Sequence, residues 1–448
     1  MREHRPAIFA SRVVDRALRP LSKVRPGEGV SAVLLLLAVF LLLSSYYMLK
    51  TAREGMILAG EGFGLGGDEL KTYATGVMAL LLFGLVPAYD ALASRVRRIV
   101  LIDLTYGFVL LCLVAFYVLG RAGVPIGLAF FIWLGLVSLF LIAQFWSYAT
   151  DLYTEEQGKR LFAIIAVGGS VGAMLGPRLT DLATTFDLIP LAAVLLVGCV
   201  VLIHVVEARF DGQTQHIAKA PISGEGGFTL VLRDRYLLLI GLLLLVLNVV
   251  NTTGEYILSN VVRDHAMDLF PDQGIAAVEE QRREWIKAFY ADFYSWVNVI
   301  AFFMQAFLVS RVLDKLGIQR ALFVLPLVVL GAYGAIAVFG GLALTRAAKF
   351  TENSTNYSLQ NTLRQALFLP VSRAAKYKAK AAIDTFFVRA GDTVSAVLVG
   401  VAIHELSLGR RSLALVNVGL VALWIPICIG IARRNRALSS PAVGPGDV

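Results

Sequence analysis

From Ser31 to Leu49 the chain runs without one charged side chain, and then meets Lys50, Arg53 and Glu54 in quick succession. Such a run is long enough to cross the roughly 30 Å hydrocarbon core of a bilayer as a helix. Comparable runs follow: Tyr73–Tyr89, Val100–Leu119, Ile126–Trp146, Leu161–Gly176, Ile189–Val206, Tyr236–Tyr256, Trp296–Val312, Ala321–Leu344, Ala347–Pro370, Ala382–Ile403 and Ser412–Ile431. Lipid cannot hydrogen-bond a backbone, so each such run must satisfy its own amides, which a helix does. The expectation is an all-α membrane protein with twelve transmembrane helices. Charged residues make up 16% of the chain, against about 25% in a soluble domain. The tenth run contains the polar stretch "KFTENSTNYSLQNTLRQ". It is retained as a span because polar helices cross a membrane when they face protein or a water-filled cavity. The first apolar run is too long for a signal-peptide core and has no small-residue cleavage site after it, so it is expected to stay as the first span.

The formal net charge is +9, which suits nucleic acid or anionic lipid. The distribution decides for lipid. Basic residues cluster before Val30, in Arg95–Arg98, Arg209–Arg235, Arg311–Arg320, Arg373–Lys380 and Arg433–Arg436, flanking the apolar runs. By the positive-inside rule both termini are expected in the cytoplasm, with the chain in a bacterial-type inner membrane. Arg410–Arg411 is the exception, in a loop expected outside. Cys112, Cys199 and Cys428 all fall inside spans and read as packing residues. No Ser/His/Asp set, metal cluster or nucleotide-hydrolysing loop occurs, so neither an enzyme nor a cofactor is expected, and a monomer is.

The chain repeats itself. "YDALASRVRR" follows the second run and "LVSRVLDKLGIQR" follows the eighth; "KRLFAIIAVGGSVGAMLG" opens the fifth and "KAAIDTFFVRAGDTVSAVLVG" the eleventh. These correspondences divide the chain into a six-helix half over residues 1–209, a polar cytoplasmic linker over 210–234 and a second six-helix half over 235–448. Two parallel six-helix halves are the layout of the major facilitator superfamily, in which the substrate is held near the midplane. Its cytoplasmic loop signature resembles the Asp-and-basic loops here, so Asp90, Arg95, Arg98, Asp314, Lys315 and Arg320 are expected to act as gates. "GGSVGAMLGP" spaces small residues for close helix packing; a phosphate loop would need a preceding strand and a following Lys-Ser/Thr.

An ionisable group at span depth costs several kcal/mol and marks a cavity by default. The first span carries Lys50, Arg53 and Glu54. Two readings stand there: snorkelling at the outer interface, or a site. The seventh span carries Asn251 and Glu255. The tenth carries Lys349, Glu352, Asn356, Tyr357, Gln360 and Arg364, and the spacing 349, 352, 356, 360 and 364 lines one helix face. The eleventh carries Asp384, Arg389 and Asp392. Four of the cations, Lys50, Arg53, Lys349 and Arg364, are candidates to clamp carboxylate or phosphate oxygens, Arg bidentately and Lys as a point charge.

Four stretches then resemble the ATP/ADP translocase family of plastids and intracellular bacteria. They are "YYMLKTAREGMIL", "FWSYATDLYTEEQGKRLF", "NYSLQNTLRQALFLPV" and "KYKAKAAIDTFFVRAGD". The family exchanges ATP for ADP, often with phosphate. The resemblance implies that Arg53 takes the place of a phosphate-binding lysine in the first helix. It puts either Asn251 or Glu255 at the seventh-helix acid, and Arg364 with Gln365 at a Lys-Glu pair. Asp392 stands where the family has lysine, a reversal expected to weaken binding of a triphosphate, and the family's fourth-helix acid has no counterpart. The resulting expectation is a secondary transporter of a small anionic, phosphorylated solute, working by alternating access. The competing readings are a proton-coupled carrier of another solute, using Glu54, Glu255, Glu352 or Asp392, and a scaffold that uses the fold without transport.

Overall fold

The computed structural model describes residue 25 and residues 28–93, 95–153, 155–210, 227–271, 276–371 and 379–439. Apart from a two-stranded hairpin, Glu61–Gly62 with Leu65–Gly66, the regular structure is helical. Helix α1 spans Gly29–Leu58, α2 Gly67–Ala93, α3 Arg98–Arg121, α4 Gly127–Leu152, α5 Glu155–Leu175 and α6 Leu188–Phe210. After the short α7 (Gly227–Arg233) come α8 (Arg235–Leu269) and α9 (Ala276–Phe303), which runs through a π-turn at Met304–Leu308 into α10 (Val309–Ala321). Then follow α11 (Val324–Phe339) and α12 (Leu342–Thr355), continued by a π-turn at Asn356–Gln360 and α13 (Asn361–Ala366). The last span region comprises α14 (Lys380–Ala382), a π-turn at Ile383–Phe387, α15 (Val388–Gly400) and a π-turn at Val401–Glu405, before α16 (Arg410–Ser439). The chain is an all-α, multi-pass membrane protein.

Among the described residues 10 helices are long and apolar enough to span a membrane, and Val324–Phe339 is a shorter apolar helix. The expected tenth span lies in α12 and α13 and is too polar to be among them. Two spans outrun their apolar cores. Tyr236–Tyr256 becomes Arg235–Leu269, and Trp296–Val312 becomes part of a helical stretch over Ala276–Ala321. Hydropathy marks only the lipid-contacting middle of a helix. Beyond it α8 starts on a cap, with Asp234 accepting from the amides of Tyr236 at 2.7 Å and Leu237 at 3.4 Å. The first turns of α9 carry the i,i+3 ion pairs Glu280–Arg283 and Glu284–Lys287. The loop signature of the second half falls where Gly317, at φ 70° and ψ 167°, interrupts α10.

The structure has two compact units. One comprises Met1–Ile57, Gly84–Lys219 and Glu280–Trp296; the other Leu58–Phe83, Ala220–Glu279 and Val297–Val448. In the first unit, the glycines of "GGSVGAMLGP" set the spacing of α5 against α1. A Cβ on Gly172 would lie 2.6 Å from the carbonyl oxygen of Phe40, and one on Gly176 2.7 Å from that of Ser44. The aromatic core there includes Tyr106, Phe130, Phe145 and Tyr148. In the second unit, Gly391 of α15 plays the same part against α8: a Cβ would lie 2.7 Å from the carbonyl oxygen of Leu245. Its core is built around Tyr236, Tyr333 and Trp424.

Candidate functional site

Helix α12 carries the strongest departure from an ordinary membrane helix. Thr345, Lys349, Glu352, Asn353, Ser354 and Thr355 are all buried, as are Ser358 and Gln360 in the π-turn that follows. The expected single polar face is therefore a helix buried on most sides, while Tyr357 is 39% exposed. The π-turn adds a residue to the turn, which moves the later side chains off the face that i,i+4 spacing assigns them. The amide oxygen and nitrogen of Gln360 have no hydrogen-bond partner among the described residues.

Lys349 is the centre of this region. Its Nζ, fully buried, lies 3.1 Å from Glu352 Oε2 and 3.4 Å from Glu255 Oε1. It also donates to Asn251 Oδ1 at 3.2 Å and to the Asn251 carbonyl oxygen at 3.3 Å. Glu352 is tied down from the other side, accepting from the Tyr333 hydroxyl at 2.6 Å. Glu255 accepts from Asn353 Nδ2 at 3.2 Å and has Lys71 Nζ 3.9 Å away, and Lys71 donates to Ser259 Oγ at 2.8 Å. Two ammonium groups and two carboxylates thus alternate along one chain, drawn from α2, α8 and α12, with the Tyr333 hydroxyl of α11 at its end. Gly254 makes the approach possible: a Cβ there would overlap the Tyr333 hydroxyl and lie 3.2 Å from Lys349 Nζ.

The other membrane acids and bases of this unit pair off separately. Asp392 Oδ1 accepts from Asn248 Nδ2 at 2.6 Å and Thr252 Oγ1 at 2.9 Å, and its Oδ2 from Arg389 at 3.0 Å. Arg364 binds Asp384 at 2.6 Å. His404, adjacent to Glu405 in sequence, faces Glu69 instead, at 2.8 Å. The hairpin and the start of α2 are held to α8 by Asn260 to Asp68 at 2.7 Å and Arg263 to Glu61 at 2.6 Å.

In the first unit, Lys50, Arg53 and Glu54 sit together against aromatic rings. Lys50 Nζ lies 4.1 Å from the Tyr294 ring centroid and Arg53 Cζ 4.3 Å from that of Phe131. These are distances at which a ring face attracts a cation. Arg53 Nε is 3.5 Å from Glu54 Oε1, which accepts from the Tyr294 hydroxyl at 3.2 Å. Arg53 is 9% exposed and Glu54 fully buried, so neither has the exposure of a snorkelling side chain. Gly55 allows α9 to come this close, since its Cβ would lie 2.6 Å from the carbonyl oxygen of Arg283.

Of the loop residues, Arg98 pairs with Asp151 at 3.1 Å and Glu207 at 3.6 Å and lies over the Tyr148 ring. Arg95, Asp314, Lys315 and Arg320 are exposed. The Asp90 side chain lies outside the described residues, as does most of the expected linker.

Sequence reasoning missed Lys71, Tyr333, Asn353 and Tyr294. Lys71 precedes the apolar run of its helix and looks like a loop residue. The signal that could have found it is a polar row, Asp68, Lys71 and Thr75, whose spacing of three and four places them on one helix face. Along that row the Thr75 hydroxyl donates back to the Lys71 carbonyl at 2.9 Å. Tyr333 and Tyr294 lie in apolar or amphipathic helices, where a tyrosine ordinarily reads as packing.

No model of a known protein family matches the chain. It is 22% identical over 351 residues to ADP,ATP carrier protein 1 of Chlamydia trachomatis, which covers 68% of this chain and 64% of that protein. The Chlamydia muridarum protein of the same name is 23% identical over an equal length. The chain thus spans somewhat under two thirds of the length of these relatives. Among solved structures, a POT family transporter in complex with 5-aminolevulinic acid superposes with a TM-score of 0.61 at 14% identity, covering 91% of this chain and 96% of that one. The nucleoside transporter NupG gives 0.54 at 11% identity, covering 91% and 98%. These superpositions show that the chain shares the fold of those two solved structures.

Proposed function

We propose that this chain is a secondary transporter that exchanges small anionic, phosphorylated solutes of the nucleotide kind by alternating access. The observation that carries the reading is the 351-residue similarity to proteins named ADP,ATP carriers. The buried cations support it: Lys349 has no exposure and Arg53 only 9%. Charge is too costly at span depth to be kept without use. In this reading Lys50 and Arg53 of α1 bind anionic groups in the first unit, and Lys349 of α12 does so in the second. Asn251, Glu255, Glu352 and Tyr357 shape the surroundings of Lys349; Arg364, Arg389 and Asp392, in their own ion pairs, are further candidates for contact with substrate; and Glu54 orients Arg53. The two six-helix halves are the moving parts, with Asp90, Arg95, Arg98, Asp314, Lys315 and Arg320 at their cytoplasmic gates. The protein works as a monomer in a bacterial-type inner membrane, both termini in the cytoplasm.

The test is exchange in proteoliposomes. Labelled external ATP should enter in return for internal ADP, and Lys349→Gln and Arg53→Gln should each reduce uptake by at least about tenfold, the loss of one charge-assisted contact. Absence of exchange with ATP, ADP and inorganic phosphate alike would overturn the reading.

A further inference from the structure

Lys349 has no exposed surface, while the carboxylate 3.4 Å from it does: the Glu255 side chain is 22% exposed. The two carboxylates on Lys349 are held unequally. Glu352 is buried and fixed at 2.6 Å by Tyr333 and 3.1 Å by Lys349. Glu255 is held at 3.2 Å by Asn353, 3.4 Å by Lys349 and 3.9 Å by Lys71. Charge-assisted contacts of an ammonium at full strength run to about 2.7–2.9 Å, and Glu352 at 3.1 Å is nearer that range than Glu255 at 3.4 Å. Of the two carboxylates, Glu255 makes the longer contact with Lys349 and is the more exposed.

We infer that Glu255 is a resident stand-in for the substrate anion: it neutralises Lys349 and Lys71 when the site is empty and yields them when substrate arrives. The inference rests on the anion-transport reading above. With Lys71, Glu255, Lys349 and Glu352 all ionised, the empty cluster is neutral. Bound substrate supplies the negative charge in place of Glu255, whose carboxylate swings to the exposed side and is rehydrated. A neutral empty cluster can pass through the membrane interior at far lower cost than an unpaired ammonium. The carrier can then return empty, so net flux accompanies exchange. Removing the Glu255 charge leaves one cation in excess, which only a bound anion cancels. The variant must then carry substrate both ways.

The experiment measures two quantities on purified, reconstituted protein. The first is thermal stabilisation by ATP, ADP and inorganic phosphate at low salt. The second is the ratio of net efflux into substrate-free buffer to exchange against external substrate. Glu255→Gln should melt lower when empty, bind the stabilising anion about tenfold tighter, and show a net-to-exchange ratio reduced by about the same factor. The double variant Lys71→Gln/Glu255→Gln restores neutrality and should return the net-to-exchange ratio towards wild type, while it binds the anion less tightly than Glu255→Gln because Lys71 no longer contributes its charge. If Glu255→Gln fails to fold, the neutral double variant still decides: a net-to-exchange ratio near that of wild type supports the inference, and failure to fold assigns Glu255 a structural role and overturns it. Equal or weaker binding by Glu255→Gln, or no reversal by the double variant, overturns the inference and leaves the transport reading intact. If none of the three anions stabilises or is exchanged by the wild type, the transport reading falls, and this inference with it.

Discussion

Replacing Lys349 by glutamine tests how this membrane protein tolerates charge in its interior. Lys349 Nζ touches Glu352 at 3.1 Å, Glu255 at 3.4 Å and Asn251 at 3.2 Å, with no exposed surface. Removing it leaves both carboxylates of the charge chain with Lys71 as its remaining ammonium, 3.9 Å from Glu255. Stripping one partner from a buried ion pair costs about 3–5 kcal/mol, because the other charge stays behind uncompensated. A unit of about 240 residues loses about 2–4 °C per kcal/mol, so the apparent Tm should fall by about 6–20 °C. The assay is thermal denaturation of detergent-purified protein. The double variant Lys349→Gln/Glu352→Gln removes one charge of each sign and should recover most of the loss, since a buried pair replaced whole is often neutral for stability. The Tyr333 hydroxyl keeps an acceptor in that variant through the glutamine carbonyl. An unchanged Tm in the single variant, or a further fall in the double, would refute the reasoning.

Three more outcomes follow from the same geometry. Gly254→Ala sets a methyl into the Tyr333 hydroxyl and close to Lys349 Nζ, so it should cost about 1–3 kcal/mol as overpacking, read as a lower Tm with reduced anion-induced stabilisation. Asp392→Leu strips the acceptor from Asn248, Thr252 and Arg389 and should lower stability by about 3–5 kcal/mol; Asp392→Leu/Arg389→Leu should regain part of it in the same melt. Arg53→Lys keeps the charge but loses the planar stack on Phe131; if Arg53 contacts substrate bidentately, anion affinity should drop by about tenfold with little change in the Tm of the empty protein.

The amphipathic and apolar periodicities carry most of the architecture. Lipid forces every spanning backbone into a helix, so apolar runs alone predict an all-α membrane protein. The glycines at 172 and 176 need only their absence of a side chain to predict close helix packing. The unusual cost of charge at depth likewise singles out Lys349, Glu352, Glu255, Arg53 and Asp392 without any coordinates. Their partnerships are another matter. Lys71 reaches Glu255 and Ser259 across 184 and 188 positions of chain, as 255 − 71 and 259 − 71, and no local pattern encodes such a contact. Tyr333 is one aromatic in an apolar helix until tertiary packing aims its hydroxyl at Glu352. The structure also joins cations and acids of the spans into ion pairs, Lys349 with Glu352, Arg364 with Asp384 and Arg389 with Asp392. Which side chains are ionisable and where along a helix they stand is written in one dimension. Which of them neutralise each other depends on distances set by helix packing, and Coulomb energy at low dielectric changes by several kcal/mol over an ångström-scale difference in those distances.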